Sequence, residues 1–248
     1  MALISQKKVW ESLAEFDPMW AILTDDQKKG RKWSEEEFFK NGRIEIETLI
    51  TELDTLNLPL GRKQALDFGC GIGRLSQALS LYWENVVGVD ISSEMISVAN
   101  KSNRFSNKCK YIVNEASDLR IFQDNFFDFI YSNIVLQHIA PKYSKKYIEE
   151  FIRVAKPGGT IIFQLPYHIH WRQRIQWRRR VFSLLQFFQI SGSFIIEKLG
   201  INPMRMASIP EEDIKNICTS NHASIIKQKK WSDGIFGSCR YIITKNLG

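Results

Sequence analysis

The sequence predicts an α/β protein built on a parallel sheet, and three observations predict it. Between residues 64 and 164 short apolar runs alternate with helical patterns, the order expected of strand–helix–strand units with helices on both faces of a sheet. One strand-to-helix junction, at 65–79 (ALDFGCGIGRLSQAL), carries three alternate glycines. The next apolar run, 86–89, ends in Asp90. Sheets of this kind bind ligands outside the carboxyl ends of their strands, where Gly69, Gly71, Gly73 and Asp90 fall. Glycines there let the backbone approach a ligand closely, and the following helix turns its free N–H groups towards it.

Taken in order, the first predicted strand runs into the loop Gly69-Cys70-Gly71-Ile72-Gly73. A dinucleotide fingerprint places its third glycine at the sixth loop position, which here is Arg74. The pattern is instead D-x-G-x-G-x-G, opened by Asp67. After one helix the second strand delivers Asp90, about 20 residues beyond the loop, placed to accept hydrogen bonds from ribose hydroxyls. Ser92 and Ser93 then offer N-caps for the next helix. The segments 111–119 (YIVNEASDL), 126–139 (FFDFIYSNIVLQHI) and 153–166 (RVAKPGGTIIFQLP) continue the alternation, the last as a helix end, a Pro-Gly-Gly turn and a fifth apolar strand.

These five elements, in this order and at these spacings, resemble motif I and the segments after it in class I S-adenosylmethionine-dependent methyltransferases of the small-molecule type. The resemblance is strong over 64–166 and looser elsewhere. It implies a Rossmann-like, mostly parallel sheet of seven strands, closed by antiparallel strands near 224–227 and 238–244. The cofactor implied is S-adenosylmethionine, with S-adenosylhomocysteine as product. The resemblance implies that Asp67, Gly69, Gly71, Gly73 and Arg74 of motif I bind the cofactor with Asp90 on its ribose, that Ile91 and Met95 lie against adenine, and that Asn133 is at the strand end beside the methionine portion. Where the family has a Gly-Asp-Ala type sequence against the adenine amino group, this chain has Asn114 and Glu115, so that contact stays open among Asn114, Glu115, Ala116 and Ser117.

The N-terminal residues 1–60 are expected to form a helical cap ahead of a catalytic domain at 61–248. The words DPMWAI and KWSEEEFFKNGR resemble caps that fold over the cofactor, on which analogy Trp20, Phe39 and Arg43 reach it, Arg43 facing its carboxylate. The competing reading packs these aromatics into the domain. Ser34 and Glu37 have the spacing of a capping box. A helical insertion is expected at 167–207, with Trp177, Val181, Leu184 and Phe188 recurring on one helical face and five arginines crowded between 172 and 180. Three roles compete for it: a lid over the substrate, a peripheral membrane contact through 171–190, and a dimer or solvated face.

Composition sets further bounds. No apolar run approaches the ~18 to 20 residues that span a bilayer, and charged residues interrupt the N-terminus where a signal peptide would be apolar. The four cysteines have no metal spacing, and the expectation is a reducing cytoplasm, with peripheral membrane association as its variant. Cys70 reads as a small packing residue. The net charge of +7 raises nucleic acid as a partner, but the strand-four sequence SNIV lacks the Asn/Asp-Pro-Pro-aromatic and Pro-Cys patterns of base methylation. The expected partner is a small-molecule acceptor, with a sugar, lipid-linked glycan or specialised metabolite methylated on O or N.

A sulfonium methyl needs an acceptor held in line more than it needs an acid or base. Should a proton have to leave, His138 is the candidate base by motif position, with Tyr167, His168 and His170 on the same rim as acceptor contacts. Two other classes remain in view. One is a cofactor-binding subunit without turnover. The other is an NAD-dependent oxidoreductase, against which stand Arg74 and the absence of a Tyr-x-x-x-Lys pair, since 143–147 reads YSKKY.

Overall fold

The computed structural model describes residues 2–169, 177–201, 203–232 and 236–247. Three N-terminal helices come first: α1 (Ala2–Phe16), α2 (Pro18–Ile22) and α3 (Glu35–Thr55). The alternating core follows as β1 (Gln64–Phe68), α4 (Arg74–Leu79), β2 (Asn85–Asp90), α5 (Ser93–Lys101), β3 (Cys109–Val113), β4 (Phe127–Ser132), α6 (Pro141–Val154) and β5 (Ala155–Ile169). Then come α7 (Trp177–Phe187), α8 (Gly192–Lys198), α9 (Glu211–Ser220), β6 (Ala223–Ser232) and β7 (Phe236–Lys245).

The strands form one seven-stranded sheet in the order β3-β2-β1-β4-β5-β7-β6. Strands β1 to β5 pair in parallel and β7 runs antiparallel to both β5 and β6. The order reverses between β1 and β4, and that switch point opens the crevice in which such sheets bind ligands. Two apolar layers hold the helices to the sheet. On one face Tyr147, Ile148, Phe151 and Ile152 of α6 join Ile214 and Ile217 of α9 against Leu66, Ile130 and Ile161. On the other, Ile46, Leu49, Ile50 and Leu53 of α3 pack with Leu75 and Leu79 of α4 against Ala65, Phe129 and Ile162.

The second layer revises the expected organisation at the N-terminus. Helix α3 is part of the layer that covers the sheet, so its packing runs across residue 60. Only α1 and α2, with the first turn of α3, belong to a third apolar cluster with Met95, Phe182, Ile195 and Ile196. At the start of α3 the Ser34 hydroxyl accepts from the Glu37 N–H at 3.2 Å, while the Glu37 carboxylate takes Lys28 at 2.6 Å instead of closing a capping box.

The Pro-Gly-Gly turn lies inside β5, where Ala155 pairs with Phe127 and Thr160 with Phe129. Gly158 makes the kink with φ +76°. The strand then runs on to Ile169, and Pro166 and His168 still pair with β7, so the insertion begins after the expected residue 167. Within it the predicted apolar stripe faces outward. Trp177, Leu184 and Phe188 are exposed, and Phe182 is the side chain of α7 fully buried against α1 and α8.

Candidate functional site

The crevice at the carboxyl ends of β1, β2 and β4 is walled by Gly69, Cys70, Gly71, Asp90, Ile91, Met95, Asn114, Asn133, Ile134 and His138, with Arg74 and Leu75 from α4. Its roof is helical: Gln6 and Trp10 from α1, Ala21 and Ile22 from α2.

The loop is held by the strand beside it. The N–H groups of Gly69 and Cys70 both donate to the Val89 carbonyl, at 2.8 and 3.0 Å. Gly71 N–H donates to one Asp90 oxygen at 3.0 Å, and Ser92 N–H to the other at 2.9 Å. Burial pushes the Asp90 carboxyl up, against the pull of these backbone donors. Each Asp90 oxygen keeps lone-pair capacity for a further donor from the crevice. Gly71 has φ +53°, and a Cβ there would meet Ile22 Cδ1 at 2.5 Å. The loop therefore lies directly beneath the roof.

Gly73 and Asp67 do not reach the wall. Gly73, at φ +84°, caps α4, and a Cβ on it would run into the Tyr111 hydroxyl. Asp67 is buried beneath the loop, accepts from Ser76 Oγ at 2.6 Å, and is pushed up to about 7 by burial. Their place is in building the turn. Cys70 does line the crevice, and burial raises its thiol well above the ordinary range.

A polar cluster that the sequence did not reveal is centred on Glu45 of α3. Its Oε1 accepts from Asn133 Nδ2 at 2.7 Å and from the Tyr131 hydroxyl at 2.9 Å, and its Oε2 takes Arg74 Nη1 at 2.9 Å. The Arg74 side chain is 4% exposed, and its Nε has no partner. Glu45 thus orients two wall residues from different elements, Arg74 at the start of α4 and Asn133 just after β4. Next to Asn133, Ile134 has φ +60°, an uncommon conformation for a β-branched residue and one that concentrates at functional sites.

Several expected contacts fall elsewhere. Of residues 114–117 only Asn114 reaches the wall. Glu115 points to solvent and pairs with Lys7 at 2.7 Å, Ser117 Oγ accepts from Lys146 at 3.1 Å, and the Ala116 carbonyl accepts from the Tyr147 hydroxyl at 2.6 Å. Trp20 and Phe39 are buried in the third apolar cluster, away from the wall. Lys29 lies 5.1 Å over the Trp20 ring, and Phe38 meets Phe39 edge to face. Arg43, half-buried on α3, is not at the wall either; the guanidinium there is Arg74. The reason is register: the position of α3 that lies against the Arg74 backbone is Gly42, and Arg43 follows it about 100° further round the helix.

His138 lies in a single 3-10 turn, Leu136–His138. Its Nδ1 is 2.6 Å from the Arg205 carbonyl, which makes Nδ1 the protonated nitrogen, and its Nε2 is 3.1 Å from Gln137 Nε2, which makes it an acceptor. Burial lowers its pKa to about 4, so the ring is neutral near pH 7. Trp10 meets the ring edge-on with centroids 5.4 Å apart. Tyr167 lies off the crevice, under Lys230 and against Gly237. His168 belongs to the β5–β7 ladder, and His170 lies outside the described residues.

A protein-family profile described as a methyltransferase domain matches residues 66–163. Tocopherol O-methyltransferase of Arabidopsis thaliana is 28% identical over 178 residues, 70% of this chain and 47% of its own length. The 2-methyl-6-phytyl-1,4-hydroquinone methyltransferase of Synechocystis is 35% identical over 123 residues, 49% of this chain and 35% of its own. The chain thus spans half or less of these relatives' length. In fold it is similar to the magnesium protoporphyrin IX methyltransferase of Synechocystis with bound SAH, at 17% identity and TM-score 0.61, over 97% of this chain and 100% of that one.

Proposed function

From the premise that this chain carries a class I S-adenosylmethionine-dependent methyltransferase domain, we propose that it transfers the cofactor's methyl group to an oxygen or nitrogen of a small molecule. The observation that carries the proposal is the crevice itself, where Asp90, Asn133 and Arg74 converge on the Gly69–Gly71 turn. The donor set fits the cofactor from end to end. Asp90 keeps acceptor capacity for ribose hydroxyls, Ile91 and Met95 give an apolar slot for adenine, and Asn114 supplies the polar edge beside it. Arg74, with its Nε unpartnered, is suited to the carboxylate of the methionine portion, a role in which it takes the place expected for Arg43.

When bound, the cofactor supplies a sulfonium methyl that needs only an acceptor lone pair in line behind it, the sulfur keeping the electrons of the broken bond. The chain's own residues hold and enclose the reactants. Glu45 fixes Asn133 and Arg74, and α1 and α2 exclude water from above. His138, neutral and hydrogen-bonded at both nitrogens, is assigned as a positioning residue on the acceptor side with Trp10. An acceptor hydroxyl or amine then gives up its proton to solvent after transfer. Sugars, lipid-linked glycans and specialised metabolites are the acceptor classes to screen; the names of the two curated relatives point first to prenylated ring compounds.

Calorimetric titration with S-adenosylmethionine, S-adenosylhomocysteine and NAD in parallel tests the reading. Micromolar binding of the first two and none of NAD is expected. Binding of NAD alone overturns it, and cofactor binding without methyl transfer to any screened acceptor class would make the chain a partner subunit.

A further inference from the structure

Helices α7 and α8 and the residues that end them carry a group of exposed large apolar side chains. Trp177, Leu184, Phe187, Phe188, Phe194 and Leu199 are all exposed there, Phe187 at 81% and Phe188 at 66%. Along α7 and the residue that follows it the stripe is regular: Trp177, Leu184 and Phe188 follow one another at helical spacing, the Phe188 N–H still donating to the Leu184 carbonyl. Phe182 faces the opposite way into the core. The helix is therefore anchored by Phe182 and the half-buried Leu185, with its apolar stripe on the outside. Charge flanks the stripe: Arg178 and Arg180 are exposed, and the Arg178 guanidinium lies 5.5 Å over the Trp177 ring. Arg172 and Arg174 immediately precede the helix in sequence.

Aromatic side chains interleaved with arginines on the outward face of a short helix match a bilayer interface, where apolar groups enter the acyl boundary and guanidinium groups meet lipid phosphates. A second copy brought to this face by a two-fold axis would add the same positive charge to it without supplying an anionic partner for Arg178 and Arg180, whereas lipid phosphates do. Among the described residues no helix is long and apolar enough to cross a membrane, so the contact is one that lies on the surface.

We propose that the outer face of α7 and α8 is a docking surface for an anionic lipid bilayer, with Trp177, Leu184, Phe187 and Phe188 inserted and Arg178 and Arg180 on the headgroups. The face lies one helix from the crevice. Helix α8 crosses α1 so closely that a Cβ on Gly192 would collide with the Ser12 side chain, and α1 carries Gln6 and Trp10 on the crevice roof. A docked molecule holds its roof next to the bilayer, which suits an acceptor dissolved in lipid; that consequence rests on the methyl-transfer reading, whereas the docking does not.

Flotation with phosphatidylcholine vesicles, plain or containing a quarter phosphatidylglycerol, tests it in the full chain. The parent is expected to float with the anionic vesicles and hardly at all with the neutral ones. Phe187→Ser with Phe188→Ser should weaken binding at least about tenfold, and Arg178→Gln with Arg180→Gln should weaken it about 25-fold, at about fivefold per arginine near an anionic surface. Both pairs are solvent-exposed, so thermal unfolding and S-adenosylhomocysteine affinity should match the parent, and loss of cofactor binding alone would count against the methyl-transfer reading only. Failure of the parent to float, or flotation unchanged in both variants, overturns the proposal. So does sedimentation showing a parent dimer that the phenylalanine pair abolishes while no vesicle binds.

Discussion

Replacing Glu45 by Gln strikes the cluster that joins α3, α4 and the end of β4, and its cost follows from the geometry. The Glu45 Oε1 position accepts from both Asn133 and Tyr131, and the Oε2 position from Arg74. A glutamine has one acceptor oxygen. If it faces Asn133 and Tyr131, its NH2 meets the Arg74 donor; if it flips, two donors are stranded. A stranded buried donor costs ~1–3 kcal/mol. Removing one partner of a buried ion pair costs ~3–5 kcal/mol, but Glu45 is 22% exposed, so water relieves part of this. The expected loss is about 2–3 kcal/mol in urea unfolding. S-adenosylhomocysteine affinity should fall with it, because both oriented residues line the crevice. A double-mutant cycle with Arg74→Met should return a coupling of ~1.5 kcal/mol or more. A loss below about 0.5 kcal/mol for Glu45→Gln, or additivity of the two changes within about 0.5 kcal/mol, would refute Glu45 as the organising residue.

Three further outcomes are expected. Asp90→Ala removes the acceptor of Gly71 and Ser92 and the proposed ribose contact, and should weaken cofactor binding by ~1–3 kcal/mol, or about 5- to 150-fold; calorimetry giving the parent's affinity would displace the ribose from Asp90. His138 has its pKa lowered from 6.5 to about 4, so its contribution to stability is complete above pH 6.5 and is lost as pH falls towards 4, by about 3 kcal/mol at ~1.4 kcal/mol per pH unit. His138→Gln should abolish that acid slope in unfolding titrations, and an unchanged slope would show the ring is free to titrate. Asp67 is raised from 3.8 to about 7, the opposite sign: its contribution is complete below pH 3.8 and declines as pH rises through 7, by at most ~4 kcal/mol. Asp67→Asn should therefore gain stability relative to the parent at pH 8, and a variant less stable at every pH would mean the carboxylate is needed as a charge.

The chemistry-bearing loop was legible because it is local. The turn at Gly69 and Gly71, the acid at Asp90 and the N-cap at Ser92 depend on residues within a few positions of one another, and φ restrictions and capping act at that range. The misplacements have one cause. The cap analogy places Trp20, Phe39 and Arg43 at the cofactor and the competing reading packs the aromatics; Trp20 and Phe39 are packed, and which side of α3 meets the crevice depends on its crossing over α4, where Gly42 lies against the Arg74 backbone. Likewise the apolar period of α7 is visible in the sequence, but a period gives no direction, and Phe182 rather than Trp177 meets the core. Helix α1, whose Gln6 and Trp10 roof the crevice, carries no motif in sequence.

By itself, then, the sequence determined the alternating α/β architecture, the Gly69–Gly71 turn and the acid beside it, since strand burial, glycine dihedrals and caps are set by neighbouring residues. Tertiary structure alone decided that Glu45 and Arg74, 29 residues apart, form the pair behind the crevice wall, that His138 is neutral and held at both nitrogens, and that the aromatics of α7 face outward. Each of those depends on which surfaces meet when helices pack on the sheet, and that choice is made by the summed burial of whole faces, which no short stretch of sequence contains.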